Sequence, residues 1–342
     1  MQFFACLKYK YAVKTLISVG DFVDIYFKFY SSSLGRIFSR LIPSSYKKRT
    51  TKSWDIVINE TPGNWWSIPI IQKRWNKLIT GMEEEEYPDY IVKKYLNVRN
   101  NLTLLSPGCG TGSKELKFTK FNNFKLIDAF DISPNRIATA KESADRMGGK
   151  NITFAISDIM SFKFENNKYD IVLFDSSLHH VKELGYILAE VYRCLKDDGI
   201  LVINEYVGPA RFQWSKKQMR VSNEALEVLP SKFKRRWQNN SLKSKIYRPG
   251  ILRMIISDPS EAVKSQNILP IIYQHFNILE EKPYGGNILH LTLKDISHNF
   301  INETDETVQL MKQLIKIEDD FLAKGNKSDF IFGVYSKKQF TN

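Results

Sequence analysis

The run Leu105-Ser106-Pro107-Gly108-Cys109-Gly110-Thr111-Gly112 sits between an apolar segment, Leu102–Leu105, and a segment of helical character, Ser113–Lys120. Glycines at three alternate positions let the backbone turn sharply and approach a ligand where a Cβ would collide. A strand, a glycine turn and a helix N-terminus make a cradle for a nucleoside-type cofactor. A glycine turn alone is equally a plain turn, so the chain around it has to carry the reading.

The spacing is not that of a nicotinamide dinucleotide site. That pattern is Gly-x-Gly-x-x-Gly, and here the third glycine comes one residue early, leaving Ser113 where the pattern needs Gly. Further apolar runs follow at Phe124–Phe130, Asn151–Ser157, Tyr169–Phe174 and Gly199–Asn204, and the first three lead into Asp131, Asp158 and Asp175. Helical stretches, among them Pro134–Met147 and Lys182–Leu195, separate them. Strand–helix alternation with polar residues at the strand ends predicts a doubly wound parallel sheet with its ligand at the carboxyl edge. Asp131, at the tip of the second strand and 19 residues after Gly112, is placed to bind ribose hydroxyls.

Residues 101–206 resemble a class I S-adenosylmethionine-dependent methyltransferase of the small-molecule type. The matching elements are LSPGCGTG, AFDISPNRIATAK, SDIMSF, YDIVLFDSSLHHV and EVYRCLKDDGILVINEY, in that family's order. The resemblance implies a Rossmann-like seven-stranded α/β sheet whose last strand inserts antiparallel. It implies S-adenosyl-L-methionine as cofactor, with Gly108, Cys109, Gly110 and Gly112 against its methionine portion. Asp131 and Ile132 would meet the ribose, Asp158 and Ile159 the adenine, and Asp175 would shape the pocket. The family usually carries an acid two residues before the first glycine, and here that position is Ser106. A hydroxyl can orient a water or the cofactor's amino group but lacks the charge-assisted contact.

The chain has 342 residues, 43% hydrophobic and 25% charged, which is ordinary for a globular protein with ample chain for a core. Three scattered cysteines (Cys6, Cys109, Cys194) give neither a disulfide framework nor a metal-ligand spacing, so reduced thiols and a cytoplasmic setting are expected. The net charge of +13 is uneven. Residues 1–50 hold nine Lys/Arg against two Asp/Glu, and residues 205–256 hold twelve against three. Five regions are expected: a basic, aromatic-rich extension (1–50), a Trp-rich helical cap (51–98), the cofactor-binding core (99–204), a basic insertion after the fifth strand (205–276) and the completion of the sheet (277–342).

The extension is neither a signal peptide nor a membrane span. Lys8, Lys10 and Lys14 break any apolar core, and no uncharged run approaches the ~20 residues of a spanning helix. It reads as a helix packed on the core or as an interfacial segment on the anionic inner face of a membrane. In the cap, Trp65 and Trp66 are candidates to close over cofactor or substrate. The insertion reads as a substrate lid. Its charge favours a polyanionic acceptor, and Arg211 and Arg248 are candidate contacts because guanidinium engages phosphate in two-point fashion.

Methyl transfer to a hydroxyl needs a positioned proton acceptor. His179 and His180 follow the fourth strand directly, and His180 is favoured; Glu205 is a second candidate. No metal-ligand pattern is visible, which argues against the metal-dependent catechol type. The leading function is therefore O-methylation of a sugar, a glycan-like or another small anionic acceptor. A membrane lipid or RNA is the alternative acceptor, RNA being disfavoured because no RNA-binding module is recognisable. A catalytically silent cofactor-binding or interaction protein is the alternative class.

Overall fold

The computed structural model describes residues 14–22, 45–55 and 63–339. Most of the basic extension lies outside these residues. Seven strands form one sheet: β1 (Leu102–Pro107), β2 (Phe124–Asp131), β3 (Ile152–Ile156), β4 (Tyr169–Asp175), β5 (Leu195–Tyr206), β6 (Phe276–Gly285) and β7 (Phe330–Lys337). Their order is β3-β2-β1-β4-β5-β7-β6, with β1 to β5 parallel and β7 antiparallel between β5 and β6. This is the Rossmann-like, doubly wound α/β sheet that the sequence predicts. In β4 every residue but the last is buried, and from Ile171 to Phe174 the strand is continuously apolar, as one covered on both faces must be; Asp170, near its start, is paired with Arg99 and Lys196.

The helices follow from local signals. Helix α1 is Tyr46–Asp55, α2 is Pro69–Thr80, α3 is Tyr87–Ile91 and α4 is Glu115–Phe118. Helix α5 (Pro134–Met147) starts where the Ser133 hydroxyl accepts from the Arg136 amide and Pro134 supplies its fixed φ. It stops at Gly148, which is left-handed. Helix α6 (Leu184–Cys194) buries Leu184, Ile187, Leu188 and Val191 against the sheet, each worth about 1.5–3 kcal/mol. A charge at Leu188 would break that face.

Two expectations need correction. The division at residues 50 and 51 falls inside α1, which is continuous there. The sequence of Pro259–Phe276 reads as one helix, yet only α9 (Ile268–His275) forms there, preceded by a 3₁₀ turn at Ser265–Asn267. The preceding segment is a turn because the Asp258 carboxylate accepts from the Ser260 amide and hydroxyl, and Ala262 takes φ +47°.

The basic insertion also contains α7 (Lys216–Val228) and α8 (Ile251–Ser257). Together with α10 (Leu289–Leu293) and α11 (Asp305–Ala323) it builds a second core around Trp65, Trp214, Leu226 and Leu314. That core sits beside the carboxyl edge of the sheet and walls one side of the site.

Candidate active site

Two cavities share the turn at residues 258–261, which gives Asp258 and Glu261 to one and Ser260 to the other. The first has about 950 Å³ of space including its open mouth, and Gly108, Asp131, Ile132, Asp158, Ile159, Ser177 and His180 line it. Of the glycine loop, Gly108 reaches the cavity, while Gly110 and Gly112 do not line it. Gly108, Gly110 and Gly112 all have positive φ, and a Cβ on Gly108 would lie 2.7 Å from that of Ser177, so position 108 has to be glycine. The Asp131 carboxylate accepts from the Gly110 and Ser133 amides, both at 2.9 Å. Each oxygen keeps a second lone pair for a ligand hydroxyl.

The acid absent at position 106 comes from elsewhere. Ser106 donates to the fully buried Glu115 at 2.6 Å, and the other Glu115 oxygen has no hydrogen-bond partner among the described residues. Burial raises this carboxyl to about 7, against the pull of the Ser106 hydroxyl. A carboxyl that ionises around neutral pH thus stands against Ser106 through a residue nine positions downstream, which the motif does not reveal. Cys109 and Asp175 do not line the cavity. Burial holds the Cys109 thiol protonated, and Asp175 accepts from Tyr87 (2.6 Å) and Asn204 (3.0 Å).

The aromatic cover is not the one expected. Trp65 is buried in the second core, stacked on His290 at 5.4 Å, and Trp66 is exposed; neither lines either of these two cavities. Trp54 of α1 lines the cofactor cavity instead, edge-on to His180 at 4.6 Å and under the Arg136 guanidinium at 4.4 Å. Lys47 pairs with Asp158 at 3.3 Å, and Ser133 donates to Asp55, so α1 is fastened across the cavity at both ends.

The second cavity is basic and aromatic. Arg236, Lys243, Lys245, Arg248, Arg253 and Lys294 line it with Phe212, Trp214, Tyr247 and His290, against Asp258, Glu261 and Asp295. Arg236 pairs with Asp295 at 2.6 Å and Arg253 with Asp21 at 2.8 Å, while Lys245 and Lys294 are exposed. Segment 14–22 braces this wall: the Arg248 guanidinium donates to Thr15, and Asp21 accepts from the Gly250 amide. Arg211 is not a ligand contact. Its guanidinium donates to the carbonyls of Asp258, Pro259 and Glu261, holding the dividing turn in place.

The histidines lie at the division. Glu205 is fully buried and accepts from the amides of Ser177, Leu178 and Tyr206 and from His179 Nδ1 at 2.7 Å. Four donors occupy its lone pairs, so Glu205 orients His179 and is not a base that meets substrate. Burial opposes the charged form of His179, but Glu205 and then Glu261 and Asp258 outweigh it and raise its pKa above the ordinary value. His180 differs. Burial, with the charges of His179 and Arg136, holds it well below the ordinary range. Because the Ser260 hydroxyl donates to Asp258 at 2.6 Å, it accepts from His180 Nδ1 at 3.2 Å, which leaves the His180 Nε2 lone pair free.

A glycine cradle, an acid on a ribose-height strand tip and a carboxylate under the loop suit S-adenosylmethionine, and with this sheet order they define a class I methyltransferase. The sequence pattern of the methyltransferase-domain family matches residues 99–276, just over half of the chain, and the protein belongs to that family. It is similar to malonyl-[acyl-carrier protein] O-methyltransferase of Bacillus cereus, 27% identical over 140 residues, covering 39% of this chain and 51% of that one. It is also similar to demethylmenaquinone methyltransferase of Staphylococcus aureus, 28% identical over 142 residues, covering 41% and 58%. The chain thus spans about half the length of these curated relatives. Geranyl diphosphate C-methyltransferase from Streptomyces coelicolor A3(2), in complex with Mg2+, geranyl diphosphate and S-adenosyl-L-homocysteine, has TM-score 0.50. It is 10% identical and covers 86% of this chain and 99% of that one, a likeness of fold alone. No helix among the described residues is long and apolar enough to cross a membrane.

Proposed function

We propose that this protein O-methylates a small anionic acceptor, sugar- or glycan-like, using S-adenosyl-L-methionine. The observation that carries the reading is the cluster that joins the two cavities: His180 lines the cofactor cavity, Glu261 lines the basic one, and His179 lies within 4.8 Å of both. The cofactor supplies an activated methyl group on a sulfonium. This chain's residues do the rest. Asp131 and the glycine loop fix the cofactor, Trp54 and α1 cover it, and Glu115 supplies negative charge under the loop. The basic cavity attracts and orients an anion, with Lys245, Arg248 and Lys294 toward its charge and Phe212 and Trp214 as an apolar wall.

The proton acceptor in this reading is His179, oriented through Nδ1 by Glu205, rather than His180. A base held above the ordinary histidine value must lose its proton before it acts. Turnover therefore falls as pH drops through a point above ~6.5. Glu205→Gln moves that point down. The test uses cofactor carrying a labelled methyl group and a panel of sugar phosphates and nucleotide sugars beside their neutral counterparts. Label transfer confined to anionic acceptors, lost in His179→Asn, is the expected result. Equal transfer to neutral acceptors, or full activity in His179→Asn, overturns it.

One observation favours an amphiphilic acceptor as a second reading. Leu16, Ile17, Val19 and Phe22 are exposed beside Leu252 and Ile255, and Leu16 is tied to Leu252 by a backbone hydrogen bond at the rim of the basic cavity. A peripheral contact with an anionic membrane would bring such an acceptor to the cavity mouth. Flotation with anionic vesicles tests it; no salt-sensitive binding sinks it.

A further inference from the structure

Neither the sequence spacing nor the family resemblance calls for a metal here, yet the fold assembles two adjacent imidazoles, His179 and His180, with the carboxylate of Glu261, far along the chain from both. One ligand-type atom each from His179, His180 and Glu261 lies within 4.8 Å of the others. His179 Nε2 and Glu261 Oε1 are 3.7 Å apart, and the two imidazole rings are 4.1 Å apart, centre to centre. For bonds of the length usual between zinc and His or Glu, neighbouring ligand atoms sit about 3–3.5 Å apart. Glu261 keeps 26% of its side-chain exposure, so a rotation of its carboxylate closes the remaining gap.

The surroundings match those of ligating histidines. A metal-bound imidazole almost always gives its other nitrogen to a carboxylate, carbonyl or similar partner that fixes tautomer and orientation. His179 does so through Nδ1 to the buried Glu205, and His180 through Nδ1 to Ser260, whose hydroxyl is itself committed to Asp258. Both Nε2 atoms are thereby left for a ligand. Among the described residues, no donor hydrogen-bonds the Glu261 carboxylate, and its ion-pair partner is His179 at 3.7 Å. Arg211, bound to its backbone carbonyl, holds the turn that presents it.

We propose that His179, His180 and Glu261 form a site for one divalent transition-metal ion of the zinc–cobalt type, with its open positions toward the basic cavity. Two imidazoles and one carboxylate with positions left over suit such ions better than Mg2+ or Ca2+, which prefer all-oxygen shells. The inference bears on the reaction proposed above and rests on that reading for its consequence. An ion on His179 Nε2 takes the lone pair that would accept a proton, so metal loading and base catalysis at this residue exclude each other. The metal is then a switch on the site.

The test is titration of Co2+ into tag-free, chelator-stripped full-length protein, followed by visible d–d absorption. S-adenosylmethionine is titrated into the same samples. One equivalent of Co2+ with a tetrahedral or five-coordinate spectrum, displaced by Zn2+, is expected. Glu261→Gln and His180→Asn should each lose the band, and Glu205→Gln should weaken binding about 10–100-fold while cofactor binding persists. No band, or Co2+ bound equally by Glu261→Gln, overturns the proposal. Loss of cofactor binding by the unaltered protein while Co2+ still binds would strike the methyltransferase reading and leave the metal site standing.

Discussion

The two cavities are built in different ways. The cofactor cavity is assembled from residues that follow strand ends directly: the glycine loop after β1, Asp131 and Ile132 at the end of β2, Asp158 after β3, Ser177 and His180 after β4. The basic cavity draws on segment 14–22, the insertion from Phe212 to Glu261 and the region around His290 to Asp295. Local sequence therefore determines the half that is shared with many relatives. Tertiary assembly determines the half that we propose chooses the acceptor. A substitution in one half should leave the other half's ligand nearly untouched.

The strongest departure from that division would come from Glu115, which does not line the cavity and which we propose acts on the cofactor through Ser106 and the loop. Glu115→Gln keeps the hydrogen bond from Ser106 within reach and removes the charge, and should weaken S-adenosylmethionine by about tenfold or more. With the carboxyl at about 7, cofactor affinity of the unaltered protein should rise between pH 6 and pH 8 and be flat in the variant. Calorimetric titration at several pH values decides this; a flat profile in both would remove Glu115 from the site.

Next comes stability. Burial depresses His290 to about 3, with the Lys294 and Lys243 charges adding to it, and His180 is likewise held neutral. The unfolded chain takes up protons at both below pH ~6.5 while the folded chain does not, so stability is full above ~6.5 and falls as the pH drops below it. His290→Phe keeps a ring against Trp65 and removes one of the two protonations. Thermal melts from pH 7.5 to pH 4.5 should show a shallower fall for that variant, and an unchanged slope would contradict the assignment.

Smaller effects sharpen the contrast. Trp54→Ala should cost cofactor affinity several-fold, about 1 kcal/mol, through loss of cover and of its Arg136 contact. Trp65→Phe, in the second core, should leave cofactor affinity unchanged although the two tryptophans are equally prominent in the sequence. Smallest of all, Lys245→Ala and Lys294→Ala should alter cofactor affinity less than about twofold while weakening inorganic pyrophosphate, because exposed charges act on anions through a screened field.

The sheet was legible because its central strands are mostly apolar and run into a polar residue at the carboxyl end, and because Ser133 caps the helix after β2. Asp131, the glycine positions and Asp158 were legible for the same reason, since their place at strand ends is local. Trp54 was not. Four tryptophans lie within residues 54–75, and only the docking of α1 by Lys47 and Asp55 selects the one over the cavity. Glu205 looked like a base in the sequence because it ends a strand, yet three amides and His179 occupy it. Glu261 was hidden because Pro259–Phe276 carries a helical pattern, which Asp258 defeats by accepting from Ser260 at the start of the segment.

The most direct measurement is calorimetric titration of S-adenosylmethionine into the full-length protein and into Asp131→Ala. In the unaltered chain Asp131 organises the Gly110 and Ser133 amides as well as facing the ribose position, so one-site binding should be lost by about 100-fold or more in the variant. Equal binding by both proteins, or none by either, would contradict the reading of this fold as a methyltransferase built on that carboxylate.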